Sequence, residues 1–139
     1  MKVLRLVFTA AAAAVFLFCL APYANCACEA AWTDFEQGIA HAKKEGRPII
    51  VDIGTGWCRD CKKLEKTTFA DPEIIKRLDS GFVAVKVDGD ARADIVKKFQ
   101  VFAYPTIIVL DRGGNKITQK VGYMSPAEFA AFLDGVKKK

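Results

Sequence analysis

Histidine is almost absent from this sequence, which has one, His41, among 139 residues. A structural zinc site needs four cysteine or histidine ligands, so a metal ion could be held only if Cys26 and Cys28 joined the pair Cys58 and Cys61. We therefore expect no metal ion and no other cofactor. A copper or zinc carrier that uses Cys58 and Cys61 remains as an alternative function. His41 is expected on the polar side of a helix.

The sequence also lacks a strong excess of charge of one sign, since 21 lysines and arginines against 16 aspartates and glutamates give a formal net charge of +5. No basic face interleaved with aromatic side chains is present, so the sequence gives no support for a nucleic-acid partner. Linkers, repeats and low-complexity stretches are missing too. Because the length is that of one domain, we predict a single folded unit.

A long apolar run occurs once, in the N-terminal stretch MKVLRLVFTAAAAAVFLFCL. Two cations precede the apolar part and small residues follow it, an order typical of a secretory signal peptide. We predict a leader over residues 1–26, cleaved between Cys26 and Ala30, and a mature domain over residues 27–139. Export would place the protein in the periplasm or outside the cell, where neighbouring cysteines tend to form disulfides. The alternative is an uncleaved helix that anchors the chain to the membrane.

Apolar periodicity and turn residues divide the rest of the chain into nine elements in the order α-β-α-α-β-α-β-β-α. Strands separated by helices favour parallel pairing, and the last two strands form an antiparallel hairpin. The pattern therefore predicts an α/β fold with a central mixed sheet and helices on both faces. Thr33, Asp71 and Ser125 are expected to cap three of the helices. The predicted elements cover residues 33–45, 48–53, 58–69, 71–78, 82–88, 91–99, 106–111, 116–121 and a last helix from residue 125.

The segment GTGWCRDCKKLEKTTF contains Cys58 and Cys61 with two residues between them. A permanent disulfide over so short a loop removes little entropy from the unfolded chain, so the pair is poorly placed as a structural staple. Cys58 falls where a helix begins, and a helix N-terminus lowers the pKa of a thiol. We interpret Cys58 as the exposed attacking thiolate and Cys61, one turn deeper, as the resolving thiol. Arg59 should favour the Cys58 thiolate and Asp60 should oppose it.

The motif WCRDCK resembles the W-C-x-x-C-K centre of thioredoxin-like oxidoreductases. Within that superfamily the runs KKEGRPIIVDI, CKKLEKTTFADPEI and VGYMSPAEFAAFL resemble the C-terminal periplasmic domain of the transmembrane disulfide-interchange reductase DsbD. The similarity covers roughly residues 32–133. It implies a thioredoxin fold, and partners that are protein thiols and disulfides.

The resemblance also implies a role for Asp52, which matches the buried acid of thioredoxins. Asp52 lies six residues before Cys58, where a buried carboxyl could accept the proton of Cys61. Burial would raise its pKa by desolvation, which suits it to exchange protons with a thiol.

The run Tyr104-Pro105-Thr106 matches the loop in which thioredoxins carry a cis-proline facing the cysteines. A cis bond before Pro105 would leave the Tyr104 backbone free to pair with an extended substrate chain. Trp57 is expected to shelter the cysteines and to contact partners. These four residues, Trp57, Tyr104, Pro105 and Thr106, are the predicted substrate-binding set.

Three departures from the family pattern affect these expectations. Gly54 and Gly56 stand where that family often has an aromatic residue and an acid. Ala84 is expected to replace the lysine that thioredoxins place beside the buried acid. No multi-span membrane domain occurs in this sequence, so we expect electrons to come from a separate donor protein, membrane-embedded or other.

These observations predict a monomeric, exported thiol–disulfide oxidoreductase that reduces disulfides of other exported proteins. The Arg-Asp dipeptide between the cysteines does not fix the reduction potential. A thiol oxidase of the same fold is therefore an alternative.

Overall fold

A computed structural model of the protein describes residues 30–137 and contains nine helices and strands in the predicted order. The helices are α1 Phe35–Glu45, α2 Arg59–Thr67, α3 Pro72–Gly81, α4 Ala93–Lys98 and α5 Pro126–Lys137. The strands are β1 Ile49–Gly54, β2 Val83–Asp88, β3 Thr106–Leu110 and β4 Lys116–Val121.

The four strands form one mixed sheet in the order β2-β1-β3-β4. Strand β1 pairs parallel with β2 and antiparallel with β3, which pairs antiparallel with β4. The predicted hairpin of the last two strands is therefore confirmed. The central position of β1 agrees with its sequence, because a strand covered on both faces is apolar almost throughout.

Alternate residues of β1 face two separate apolar cores. Ile49, Val51 and Ile53 pack on the face covered by α1 and α4. Ile50 packs on the opposite face, among side chains of α2, α3 and α5. Helices thus cover both faces of the sheet, which confirms the predicted α/β architecture.

Helix α1 begins one residue later than predicted, because Asp34 rather than Thr33 caps it. The Gln37 amide donates a hydrogen bond of 2.8 Å to Oδ1 of Asp34. Thr33 is held in an extended conformation instead, since its amide donates to the Ala84 carbonyl and it bridges to Val85 of β2. The predicted caps Asp71 and Ser125 are confirmed, the first by its bonds to the Glu73 and Ile74 amides and the second by a reciprocal capping box with Glu128.

The sheet register brings three loops to one edge. Gly54 at the end of β1 lies opposite Asp88 at the end of β2, and Ile53 lies opposite Thr106 at the start of β3. The loops of residues 55–58, 89–92 and 101–105 therefore leave the sheet side by side. This edge holds the Cys58–Cys61 pair.

The predicted leader, Cys26 and Cys28 lie outside the described residues. Within residues 30–137, no helix combines the length and the apolar character that a bilayer crossing requires.

Candidate active site at the Cys58–Cys61 pair

A disulfide joins Cys58 and Cys61, whose Cα atoms are 5.3 Å apart. Cys58 is the N-cap of α2 and has an extended backbone with φ −71° and ψ 113°. The Cys61 amide donates a hydrogen bond of 3.1 Å to Sγ of Cys58. In the reduced protein this amide and the positive end of the α2 dipole would both stabilise a Cys58 thiolate.

The two cysteines are equally buried, with 6% of each residue exposed. The expectation that Cys58 is exposed and Cys61 deeper is therefore wrong for the disulfide form. Their positions still differ, because Cys61 lies one turn into α2 against β1. A Cβ atom added to Gly54 would stand 3.1 Å from Sγ of Cys61. The glycine that departs from the family pattern thus lets β1 pack closely against the second cysteine.

Asp52 lies buried beneath α2, with 3% of the residue exposed. Side chains alternate along β1, so Ile50, Asp52 and Gly54 lie on the same face. That face is turned towards α2, because Ile50 belongs to the same core as Leu64 and Gly54 lies close to Cys61. Desolvation by burial raises the pKa of Asp52 to about 7, while the nearby Lys86 lowers it and Glu65 raises it further. Oδ1 of Asp52 has no hydrogen-bond partner within residues 30–137. The carboxyl can therefore be protonated or ionised near neutral pH.

A lysine does stand near the buried acid, and it is Lys86 on β2. The match of Ala84 to the thioredoxin lysine stays a prediction. The parallel ladder pairs Asp52 with Lys86, and Ala84 with Ile50 two residues earlier. Lys86 also forms an ion pair with Glu65 of α2. The ion pair links β2 to α2 across the position of Asp52.

Replacing Lys86 by methionine should raise the pKa of Asp52. The substitution removes the cation that lowers this pKa and leaves the Glu65 carboxylate, which raises it. NMR titration of the Asp52 carboxyl carbon measures the midpoint directly. Lys76→Met on α3 is the matched control and should leave the midpoint in place. An unchanged or lower midpoint in Lys86→Met would contradict this electrostatic account.

Trp57 lies beside the disulfide and is 69% exposed. Its indole Nε1–H donates a hydrogen bond of 2.9 Å to Oδ2 of Asp90. Its ring contacts Tyr104 edge to face, with centroids 6.0 Å apart. Two of the neighbouring loops therefore fix the orientation of this tryptophan and leave much of its surface open to a partner.

The Tyr104–Pro105 bond is cis, as the resemblance implies. The Tyr104 backbone N–H and C=O have no hydrogen-bond partner within the part of the chain that the structure describes. Thr106, in contrast, is fully buried and its hydroxyl donates a hydrogen bond of 2.6 Å to the Ala103 carbonyl. Its side chain therefore stabilises the loop through this bond, and its predicted part in substrate binding stays a prediction.

Arg59 and Asp60, the two residues between the cysteines, are exposed in the first turn of α2. Among residues 30–137, no group of three or more histidine, cysteine, aspartate or glutamate side chains could hold a metal ion.

Gly89 is required by the close approach of Tyr104, whose hydroxyl oxygen and ring carbons would lie 2.6–2.7 Å from an added Cβ. Gly89→Ala should push the Tyr104 ring away from Trp57 and cost about 1–3 kcal/mol of unfolding free energy. Urea unfolding and Trp57 fluorescence measure the two effects. Gly56→Ala is the matched control, because nothing lies within 4 Å of its added Cβ. Equal stability of the two variants would show that the close approach of Tyr104 to Gly89 does not affect the free energy of unfolding.

Several residues that build this site could not be identified from sequence patterns. Lys86 and Glu65 are exposed charges that affect the pKa of Asp52. They do so because the β1–β2 register places Lys86 opposite Asp52 and because α2 carries Glu65. Asp90 and Gly89 belong to a loop without a motif. The hydroxyl of Thr55 is also buried without a hydrogen-bond partner in residues 30–137, and nothing in the sequence distinguishes it from an ordinary turn residue.

Comparisons with known proteins agree with this geometry. The family described as thioredoxin-like domain matches residues 35–137. This chain belongs to the thioredoxin-like domain family. A bonded C-x-x-C pair at the start of a helix in that fold is the centre of a thiol–disulfide oxidoreductase, which confirms the predicted enzyme class.

Similar proteins include two named thiol:disulfide interchange protein DsbD. The one from Cronobacter sakazakii is 37% identical over 106 residues, covering 72% of this chain and 18% of that protein. The one from Colwellia psychrerythraea is 29% identical over 109 residues, covering 74% and 18%. The chain thus spans about a fifth of the length of these relatives, and the predicted resemblance to DsbD is confirmed.

Solved structures support the thioredoxin fold. A solution structure of a thioredoxin from Thermus thermophilus matches with a TM-score of 0.72 at 22% identity, covering 78% of this chain and 88% of that one. A structure titled DsbH Oxidoreductase matches with a TM-score of 0.65 at 17% identity, covering 79% and 83%. At these identities the likeness concerns the fold alone.

Proposed function

We propose that this protein is an exported reductase that passes electrons from its Cys58–Cys61 dithiol to disulfides of other exported proteins. The observation that carries the proposal is the position of Cys58 at the N-cap of α2, bonded to Cys61, which packs against the face of β1 that carries the buried Asp52. The similarity to proteins named thiol:disulfide interchange protein supports this chemistry.

The exchange runs in two balanced steps. The Cys58 thiolate attacks one sulfur of the substrate disulfide, so a mixed disulfide forms and the other substrate sulfur leaves as a thiolate that takes a proton from solvent. Cys61 then transfers its proton to the Asp52 carboxylate and attacks Sγ of Cys58. The Cys58–Cys61 disulfide forms, the second substrate thiolate leaves, and two electrons have moved to the substrate.

Asp52 is suited to this proton transfer by its raised pKa of about 7. A carboxyl with an ordinary pKa would be too weak a base for a thiol, whereas a group that titrates near the working pH exchanges protons efficiently in both directions. Burial is the main cause of this raised pKa, which Lys86 lowers and Glu65 raises further.

The substrate binds as an extended segment beside the Tyr104–Pro105 bond. The unpaired N–H and C=O of Tyr104 can form the two main-chain hydrogen bonds of a short β-pairing. Trp57 covers the other side of the segment with its exposed ring face. Main-chain recognition of this kind tolerates many substrate sequences.

We further propose that residues 1–26 direct export to the periplasm and are removed, and that a separate protein, membrane-embedded or soluble, reduces the Cys58–Cys61 disulfide again. The full-length chain expressed in a Gram-negative host should appear in the periplasmic fraction with an N-terminus between residues 27 and 30. Recovery of the intact chain in the membrane fraction would instead show an uncleaved anchor.

The direction of electron flow is tested by two mixing experiments. Reduced protein added to a disulfide-bonded protein substrate should become oxidised at a high rate, followed through Trp57 fluorescence. Oxidised protein added to the same substrate in its dithiol form should react much more slowly. If only the second mixture reacts, the protein is a thiol oxidase of the same fold.

A further inference from the structure

The two most exposed large apolar side chains in residues 30–137 are Phe102, at 91%, and Trp57, at 69%. Trp57 adjoins Cys58 in the chain. Phe102 lies two residues before Tyr104, whose ring contacts Trp57. Both exposed rings therefore belong to the loops that meet at the disulfide, where an apolar side chain of a partner can bury them.

A row of four cations runs along α2 from the same place. Arg59, Lys62, Lys63 and Lys66 follow the spacing i, i+3, i+4, i+7, which places them on one side of the helix. All four are exposed, while Cys61 and Leu64 face the core. We call these four residues the basic stripe. The basic stripe begins at Arg59, next to Cys58, and ends at Lys66 in the last turn of α2.

The basic stripe has no ion-pair partner within residues 30–137. The ion pairs there use Arg47, Arg77, Lys86 and Arg92. The α2 acid Glu65 is held by Lys86, which leaves Asp60 as the one acid of α2 outside an ion pair. Lys63 contacts the Tyr123 ring, with its Nζ 4.1 Å from the centroid. An aromatic contact leaves its charge unneutralised.

Arg59 is also poorly placed for helix stability. It is the first residue of α2, where the positive end of the helix dipole disfavours a cation. Acids occupy the first turns of α1, α2 and α3, with Asp60 next to Arg59 in α2. The charge of Arg59 would favour the Cys58 thiolate, and it adds to the positive charge of the basic stripe beside the disulfide.

We propose that the disulfide edge selects protein substrates whose disulfide is flanked by acidic residues and by an apolar side chain. The acidic residues face the basic stripe, and the apolar side chain packs on Phe102. The inference rests on the proposed function and names its substrate class. Complementary charge would speed encounter and orient the substrate disulfide towards Cys58, and salt would weaken this selection.

The test compares three disulfide substrates under one protocol. Two are short peptides with one disulfide and one leucine, identical except that glutamates flank the cysteines in the first and lysines in the second. The third is a small uncharged dialkyl disulfide without a peptide. Reduced protein is mixed with each substrate at low and at high salt. A coupled enzyme system reduces the Cys58–Cys61 disulfide again after each turnover, so that kcat/KM can be measured.

The acidic peptide should react about tenfold faster than the basic peptide at low salt, and the ratio should fall towards one at high salt. Lys62→Glu combined with Lys66→Glu should abolish or reverse the preference. Lys44→Glu combined with Lys76→Glu is the matched control, because it changes the net charge equally on α1 and α3, away from the disulfide. The control should keep the preference of the wild-type protein.

Phe102→Ser should lower kcat/KM for the acidic peptide about fivefold, and have little effect once the peptide's leucine is replaced by serine. The uncharged disulfide should react equally with the wild-type protein and both double variants.

The outcomes separate the inference from the proposed function. If the uncharged disulfide is reduced but the two peptides react alike, substrate selection is overturned and the reductase remains. If no disulfide is reduced, the proposed function itself fails. If the protein shows no peptide preference but binds vesicles of anionic phospholipid through the basic stripe, the stripe is a membrane surface and the inference is wrong.

Discussion

Cys58→Ser should abolish disulfide reduction, lowering the rate by at least about a thousandfold, because the variant lacks the attacking sulfur. Cys61→Ser should instead react once and stop as a mixed disulfide through Cys58. The difference follows from their positions, since only Cys58 caps α2 and accepts the hydrogen bond from the Cys61 amide. Turbidity of reduced insulin measures turnover, and mass spectrometry without reductant detects the trapped species.

Cys61→Ser and Cys58→Ser serve as controls for each other, because each removes one sulfur and the disulfide with it. Both variants should therefore lose a similar amount of unfolding free energy relative to the wild-type protein. Trapping by Cys58→Ser through Cys61, with no trapping by Cys61→Ser, would reverse the assigned roles.

Asp52→Asn should stabilise the protein at pH 8 by about 4 kcal/mol and slow the resolving step about 10²-fold. Burial raises the pKa of Asp52 from 3.8 to about 7 in the folded state. Between these values the folded protein holds a proton that the unfolded chain has lost. Stability is therefore highest below the unfolded pKa and declines as the pH rises to about 7, and this loss disappears in the variant.

Urea unfolding at a series of pH values tests the stability effect. The two proteins should be equally stable near pH 3, where the carboxyl is protonated in both states of the wild type, and should diverge as the pH rises. Asp79→Asn on the exposed surface of α3 is the matched control and should follow the wild type. Parallel stability curves for the wild type and Asp52→Asn would show that the Asp52 carboxyl does not titrate with a raised pKa.

Local patterns predicted the fold and the centre of the site. The order of the nine elements follows from a strand that is apolar on both faces, from helices preceded by an acid or a serine, from Gly46 after α1, and from the hairpin after Asp111. The C-x-x-C motif at the end of a strand and start of a helix located the reactive pair. Asp52, an acid inside an apolar run, indicated a buried carboxyl.

Features that depend on register or on contacts between loops could not be predicted. The sequence does not show that β1 and β2 pair Asp52 with Lys86, so Lys86 was not among the predicted site residues. Equal burial of the two cysteines, each 6% exposed, is a property of the folded loops that no motif shows. The same holds for the bond of Thr106 to the Ala103 carbonyl.

The measurement that tests the central claim most directly is the reduction potential of the Cys58–Cys61 pair. The protein is equilibrated with a series of glutathione or dithiothreitol ratios, and free thiols are alkylated and counted by mass spectrometry. We predict one two-electron transition with a midpoint near that of thioredoxin, about −270 mV, and well above the potentials of structural disulfides, which lie below about −300 mV. A disulfide that stays closed far below −300 mV would be a structural staple, and the account given for this site would be wrong.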